Sequence, residues 1–80
     1  MRNHGFRYVD PSEVKVDDWV VTQFRELGQT ARQPDKASQV RRIRKVEYAT
    51  LPDTYQFDLD DGQTYTVEET SQVPVTDGPS

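Results

Sequence analysis

The chain contains no cysteine. Disulfide frameworks, thiolate metal sites and cysteine nucleophiles are therefore excluded. Its single histidine, His4, lies in a polar N-terminal stretch, and no nucleophile-elbow motif accompanies it. There is no glycine-rich phosphate loop. No apolar run is long enough to span a membrane, and no signal-peptide core is present. These absences lead to the expectation of a cytoplasmic protein with no cofactor, no metal and no membrane partner. The last absence is one of charge. Beyond Lys45 there is not one lysine or arginine.

That asymmetry divides the chain. Residues 1–45 hold all ten basic residues and six acids, a sum of +4, whereas residues 46–80 hold eight acids and sum to −8. Two readings follow. Complementary strands neutralise each other across a small fold, or two surfaces of opposite sign exist and one of them meets a partner. The first is favoured. The overall charge of −4 disfavours nucleic acid on average.

Eighty residues, 32% hydrophobic and 30% charged, allow one domain with a small core. Such a core leaves little room for a deep substrate pocket and ample room for a shallow binding surface. Arginine outnumbers lysine seven to three and valine outnumbers isoleucine ten to one. This is the bias of GC-rich coding sequence and suggests an actinobacterial or phage source.

The clearest pattern runs from Tyr55 to Val67. Tyr55, Phe57 and Leu59 alternate with Gln56, Asp58 and Asp60, the period of a half-buried strand. Tyr65 and Val67 alternate likewise after the turn. A two-residue loop of Asp61-Gly62 would pair Phe57 with Thr66 and turn Tyr65 and Val67 to the other face. A three-residue loop of Asp60-Asp61-Gly62 pairs Phe57 with Tyr65 and Tyr55 with Val67, which gathers every large apolar side chain on one face. The second register is expected, with Gly62 at positive φ.

Around this hairpin the chain reads as follows. Residues 1–9, with Phe6 and Tyr8 alternating, form an arm or a short edge strand. Asp10-Pro11-Ser12-Glu13 is a turn or a single helical turn. Trp19 to Phe24 is the first main strand. Glu26 to Ala37, polar and interrupted by Gly28 and Pro34, is expected to be a long loop. Ser38 to Tyr48 is ambiguous. Val40, Ile43 and Val46 are spaced by three, which suits a helix or a strongly bent strand with a bulge. The strand is preferred, because a helix there leaves too few strands to close a sheet. Val73-Pro74-Val75 is a last strand, and Pro74 belongs on an edge. Residues 76–80 form a tail without structural signal.

Taken together, residues 10–75 read as an all-β domain, a small barrel of about five strands with short 3₁₀ or helical turns. Val14 to Val20, Val-Lys-Val-Asp-Asp-Trp-Val, resembles the Val-x-x-Gly-Asp-x-Val opening of SH3-like and Tudor-like barrels, with Asp17 where glycine is usual. The run ending Leu59-Asp60-Asp61-Gly62 is similar to the third-strand hairpin of Tudor-like and KOW-like domains and of short actinobacterial SH3-like domains. The resemblance covers about residues 14–75. It implies a binding module whose aromatic side chains and loops meet a ligand at one rim, without naming the ligand.

No catalytic chemistry emerges. Asp58-x-Asp60-Asp61-Gly62 misplaces its glycine for an EF-hand loop, and the alternation commits Leu59 to the core. Glu68 and Glu69 would face opposite ways on a strand, so they make a poor acid–base pair. A non-enzymatic protein-recognition module is the preferred reading. A nucleic-acid binder is the second, with Arg41, Arg42, Arg44 and Lys45 on phosphates and Tyr48 or Trp19 stacked on bases. A structural or assembly subunit, for example of a phage particle, is the third. The candidate contact residues are Trp19, Arg32, Lys36, Arg41, Arg42, Arg44 and Tyr48, in a monomer or weak homo-oligomer. Trp19 is read either as closing one end of the core or as a partner anchor. An aromatic cage of Trp19, Tyr48, Tyr55 or Tyr65 ranks low, because Tyr55 and Tyr65 are committed to the core face.

Overall fold

A computed structural model describes residues 5–29 and 31–78. His4 lies outside the described residues. Six strands form one antiparallel sheet in the order β1-β6-β2-β3-β4-β5. They are β1 (Arg7–Val9), β2 (Trp19–Glu26), β3 (Arg32–Val46), β4 (Thr54–Leu59), β5 (Thr64–Glu68) and β6 (Val73–Thr76). One 3₁₀ turn, Pro11–Glu13, links β1 to β2, with Asp10 in front of it and Pro11 at its first position. The domain is all-β, but the sheet does not close into a barrel. The expected five-strand closure is corrected by β1, which adds a sixth strand on β6 through Arg7↔Val75, Tyr8↔Pro74 and Val9↔Val73. The sheet then ends at β1 on one side and β5 on the other.

The hairpin adopts the expected register. Tyr55 faces Val67 and Phe57 faces Tyr65. The Gly62 N–H donates to the Leu59 carbonyl (3.1 Å), and the Leu59 N–H donates to Gln63 (2.8 Å). Gly62 has φ +90°, the left-handed position that follows a type I turn in a three-residue loop. Burial is why this register wins. Phe57 is wholly buried and Leu59 is buried, while Tyr55, Tyr65 and Val67 pack half-buried against them.

β3 is the bent strand, not a helix. If straight, its 15 residues would run about 50 Å. Instead the register shifts between Val40 and Arg42, inserting Arg41 as an extra residue. This bulge accounts for the spacing of Val40 and Ile43, whereas Val46, three residues further on without another shift, falls on the opposite face. Val40 and Ile43 both reach the core, facing Leu59 and Phe57 across the ladder, because the inserted residue restores the same face after an odd step. The bend carries the chain from pairing with β2 to pairing with β4. One core results, built from Val14, Val20, Val40, Phe57, Leu59, Val73 and Val75.

Two expectations about proline are corrected. The segment from Glu26 to Ala37 is not a long loop. Most of it is strand, with Phe24 opposite Pro34 and Glu26 opposite Arg32. Register shifts after Val21 and Gln23 supply the irregularity that a residue without an N–H needs. β2 ends at Glu26 and β3 starts at Arg32, and the Leu27 N–H donates to the Ala31 carbonyl (2.9 Å) just beyond them. Pro74, expected on an edge, lies in β6 between β1 and β2. It is tolerated there because the β2 ladder extends only to Val75, so at Pro74 only β1 is paired. Thr76 also leaves the tail: it pairs with Trp19, and its hydroxyl donates to the Gly5 carbonyl (3.0 Å).

Asp17, the departure from the barrel-like opening, has φ +81°. The Asp18 N–H donates to the Lys15 carbonyl (3.0 Å), so Asp17 is the third residue of a type II turn, the position that favours glycine. The Asp18 carboxylate accepts the Lys15 N–H (2.9 Å). The Asp17 N–H then meets the Val40 carbonyl (2.8 Å), and the Val40 N–H meets Asp18 (2.8 Å). This turn therefore anchors the entry of β2 to the bend in β3.

Candidate functional site: a rim cleft and a neutralised basic strand

The basic segment of β3 divides according to the alternation of the strand. Arg42 and Arg44 stand opposite Asp58 and Gln56, while Lys45 stands opposite Tyr55 on the core-facing side. Arg44 donates to the Asp58 carboxylate (2.6 Å). Its hydrogen bond holds Asp58 below the usual carboxylate range, against a smaller opposing effect of desolvation and with help from the Thr64 hydroxyl. Lys45 lies 3.4 Å from Asp53 and 3.8 Å from Glu47, with its ammonium 5.7 Å from the Tyr55 ring centre. Tyr55 and then Asp53 raise its pKa. Arg41, projecting from the bulge, sits 3.6 Å from Asp17. Arg7, Arg44 and Lys45 thus pair with acids of the second half of the chain, whereas Arg41 and Arg25 pair with Asp17 and Asp35 of their own half. Among the described residues Lys15, Arg32, Lys36 and Arg42 have no ion-pair partner.

Arg32 is engaged elsewhere. Its guanidinium lies 4.2 Å from the centre of the Phe24 ring and donates to the Tyr8 hydroxyl. Phe6 completes the group with edge contacts to Phe24 (4.8 Å) and Tyr8 (5.5 Å). These four side chains clasp β1 to the β2–β3 hairpin. Burial, then the charge of Tyr8, pushes the Tyr65 phenol upward. The clasp was not legible in the sequence. The alternation of Phe6 and Tyr8 was visible, but their partners lie many residues away.

Trp19 is half-buried and lies outside the core cluster. It follows β2 on the side opposite Val20, with Gln39 and Thr76 as register neighbours. Tyr48 is 47% exposed and Leu51 is 64% exposed, both on the loop between β3 and β4. The candidate residues therefore do not form one patch. Arg32 belongs to the clasp, the arginines of β3 to the strand face, and Tyr48 to a loop at the rim.

At that rim the sequence missed a cleft of about 480 Å³ lined by Asp10, Ser12, Tyr55, Glu69 and Thr70. Three elements create it: the 3₁₀ turn with Asp10 before it, the start of β4 at Tyr55, and the turn after β5. The Glu69 N–H donates to the Asp53 carbonyl (2.8 Å), tying the turn after β5 to the residue just before β4. Asp10 precedes the 3₁₀ turn without a side-chain capping bond. The carboxylates of Asp10 and Glu69 have no hydrogen-bond or ion-pair partner among the described residues. Asp10 was legible as a cap and Glu69 as a turn residue, but no local spacing joins positions so far apart. No helix among the described residues is long and apolar enough to cross a membrane.

Fold and surface define a small all-β antiparallel-sheet domain, compatible with an SH3-like fold. Comparison with known proteins returns no matching family model, no matching curated protein and no matching solved structure.

Proposed function

We propose that this chain is a non-enzymatic protein-recognition module built on an opened SH3-like sheet, and that it binds through the rim where the 3₁₀ turn, the β3–β4 loop and the β5–β6 turn meet. The observation that carries the reading is a cleft in which the 3₁₀ turn and the β5–β6 turn converge on Tyr55 of β4, while the β3–β4 loop, which exposes Tyr48 and Leu51, is tied to the same β5–β6 turn through Asp53 and Glu69. Loops held by a sheet are the usual seat of binding residues. Exposed aromatic side chains are favoured contact anchors.

Nucleic-acid binding is the runner-up, and its basic strand is compromised by its own neighbours. Arg41, Arg44 and Lys45 each already face a carboxylate, which phosphates would have to displace. Arg42 and Lys36 are left to support that reading.

The test is affinity capture from source lysate with and without nuclease, using wild type and a Tyr48→Ala/Leu51→Ala variant. The proposal expects a discrete protein retained after nuclease and lost with the variant. Recovery abolished by nuclease would transfer the function to β3 and nucleic acid. Recovery of this chain alone would favour self-assembly.

A further inference from the structure

Two aspartates of the chain are followed directly by glycine, in Asp61-Gly62 and Asp77-Gly78. Glycine has no side chain to shield its amide nitrogen, so both pairs share one chemical route to rearrangement. The glycine nitrogen attacks the aspartate Cγ, a C–N bond forms and one water leaves, giving a five-membered cyclic imide. Water then opens the ring at either carbonyl. Opening at the main-chain carbonyl leaves the chain running through the aspartate side chain, an isoaspartate of unchanged mass. No electrons are exchanged, and the water lost is regained. The route has three requirements. The amide nitrogen must be free of other bonds, the carboxyl must be free to turn, and the backbone must bring Cβ over that nitrogen.

The fold denies all three to Asp61. Its carboxylate accepts the Gln63 N–H (2.9 Å) on one oxygen and the Ser38 hydroxyl (3.0 Å) on the other. The Gly62 N–H is already donated to the Leu59 carbonyl (3.1 Å). Asp61 also ends the type I turn that precedes the left-handed Gly62, a position with ψ near 0°. At that angle Cβ stands about 120° from the Gly62 nitrogen around the Cα–C bond, whereas ring closure needs the two nearly eclipsed. Asp77 is under no such restraint. It follows Thr76, the last residue of β6, and its side chain is fully exposed. Its ion pair with Arg7, at 3.9 Å and also exposed, is of a kind that holds little. Among the described residues no hydrogen bond engages the Asp77 carboxylate or the Gly78 N–H, and a Cβ built at Gly78 meets nothing within 4 Å. We infer that Asp77 is a site of covalent modification, which converts spontaneously to isoaspartate in the folded protein while Asp61 is protected. The methylene added to the main chain falls just beyond the pairing of Thr76 with Trp19, so the sheet is left intact.

The experiment is ageing of the full chain for several weeks at mildly acidic pH, folded in buffer and unfolded in guanidinium. Cleavage at Glu68 and Glu69 then separates the two aspartates. Isoaspartate is read as a second chromatographic peak of unchanged mass, and electron-transfer fragmentation assigns the residue. In the folded chain the product should accumulate at Asp77 about tenfold or more faster than at Asp61. Hydrogen bonds each worth about two- to ten-fold in population must open first at Asp61. In guanidinium the two rates should converge. Ser38→Ala should speed conversion at Asp61 about two- to ten-fold and leave Asp77 unchanged. Asp77→Glu, which would need a six-membered ring, should remove the product from the C-terminal peptide. Circular dichroism verifies that each variant is folded, and the wild-type comparison stands without them. Equal rates in the folded chain, faster conversion at Asp61, or no product at Asp77 would overturn the inference. So would a difference that persists in guanidinium, because neighbouring sequence rather than the fold would then set it. An Asp61 rate unmoved by Ser38→Ala would overturn protection by that hydrogen bond.

Discussion

Arg44 bonds diagonally to Asp58, at 2.6 Å, rather than to Gln56, its register partner. The same Asp58 oxygen accepts the Thr64 hydroxyl at 3.1 Å. One carboxylate thereby joins β3, β4 and β5 on a single face, and it joins the basic half of the chain to the acidic half.

This bond gives a pH dependence with a definite sign. Asp58 is held below its ordinary value in the folded protein, chiefly by Arg44. A depressed carboxylate contributes stability that is complete above the unfolded pKa, about 4, and is lost as the pH falls through the lower folded value. Urea denaturation as a function of pH should show stability falling on the acid side in wild type, with a shallower fall in Asp58→Asn. Arg44→Gln should move the Asp58 titration, followed by NMR, back up toward the ordinary range. An unmoved titration would remove Arg44 as the cause.

Gly62 gives a steric prediction free of crowding. Its φ is +90°, and a Cβ built there meets nothing within 4 Å. Only the backbone conformation penalises a side chain. Gly62→Val should cost about 1–2 kcal/mol, lowering Tm by about 4–8 °C for each kcal/mol in a domain of this size. Gly62→Asn should cost less, because asparagine tolerates the left-handed region. Thermal unfolding followed by circular dichroism measures both, and an unchanged Tm in the valine variant would contradict the turn geometry.

Asp17 is the opposite case, a non-glycine residue already at positive φ, +81°. Asp17→Gly relieves that conformation and gives up only an exposed contact with Arg41 at 3.6 Å, of a kind worth little. Stability should rise by about 0.5 kcal/mol, whereas Asp17→Val should lose about 1–2 kcal/mol. Chemical denaturation of both variants tests the pair of signs.

The clasp predicts a local effect. Arg32→Ala removes the contact on Phe24 and the bond to Tyr8. A cation–π contact at an exposed site is worth about 0.5–1 kcal/mol, so amide exchange in β1 should accelerate by about two- to five-fold. Exchange in β4 should be unaffected, since Phe57 and Leu59 keep their core contacts. Equal acceleration in both strands would mean that Arg32 supports the whole fold rather than the arm.

The sequence by itself determined the features that are local or strictly periodic. Alternation at Tyr55, Phe57, Leu59, Tyr65 and Val67 selected one hairpin register, because a single slip would have turned Tyr65 and Val67 to the face away from the other three. The bent strand through Val40 and Ile43 was reached differently, from the number of strands a sheet needs, because its spacing also suited a helix. Tertiary structure decided what depended on distant partners. Pro34 and Pro74 looked like breaks in strand pairing, yet both sit in strands, one beside register shifts and the other where the β2 ladder stops. The arm became a sixth strand because β6 offered it an edge, and the sheet stayed open beyond it. Charge showed the same division. Composition separated the two halves, but only the fold could say that Arg44 and Lys45 would meet Asp58 and Asp53, while Asp10 and Glu69 would share a cleft with no cation of their own. Spacing along the chain fixes which side chains share a face. Which faces then meet is fixed by the packing of a core whose members come from every part of the chain.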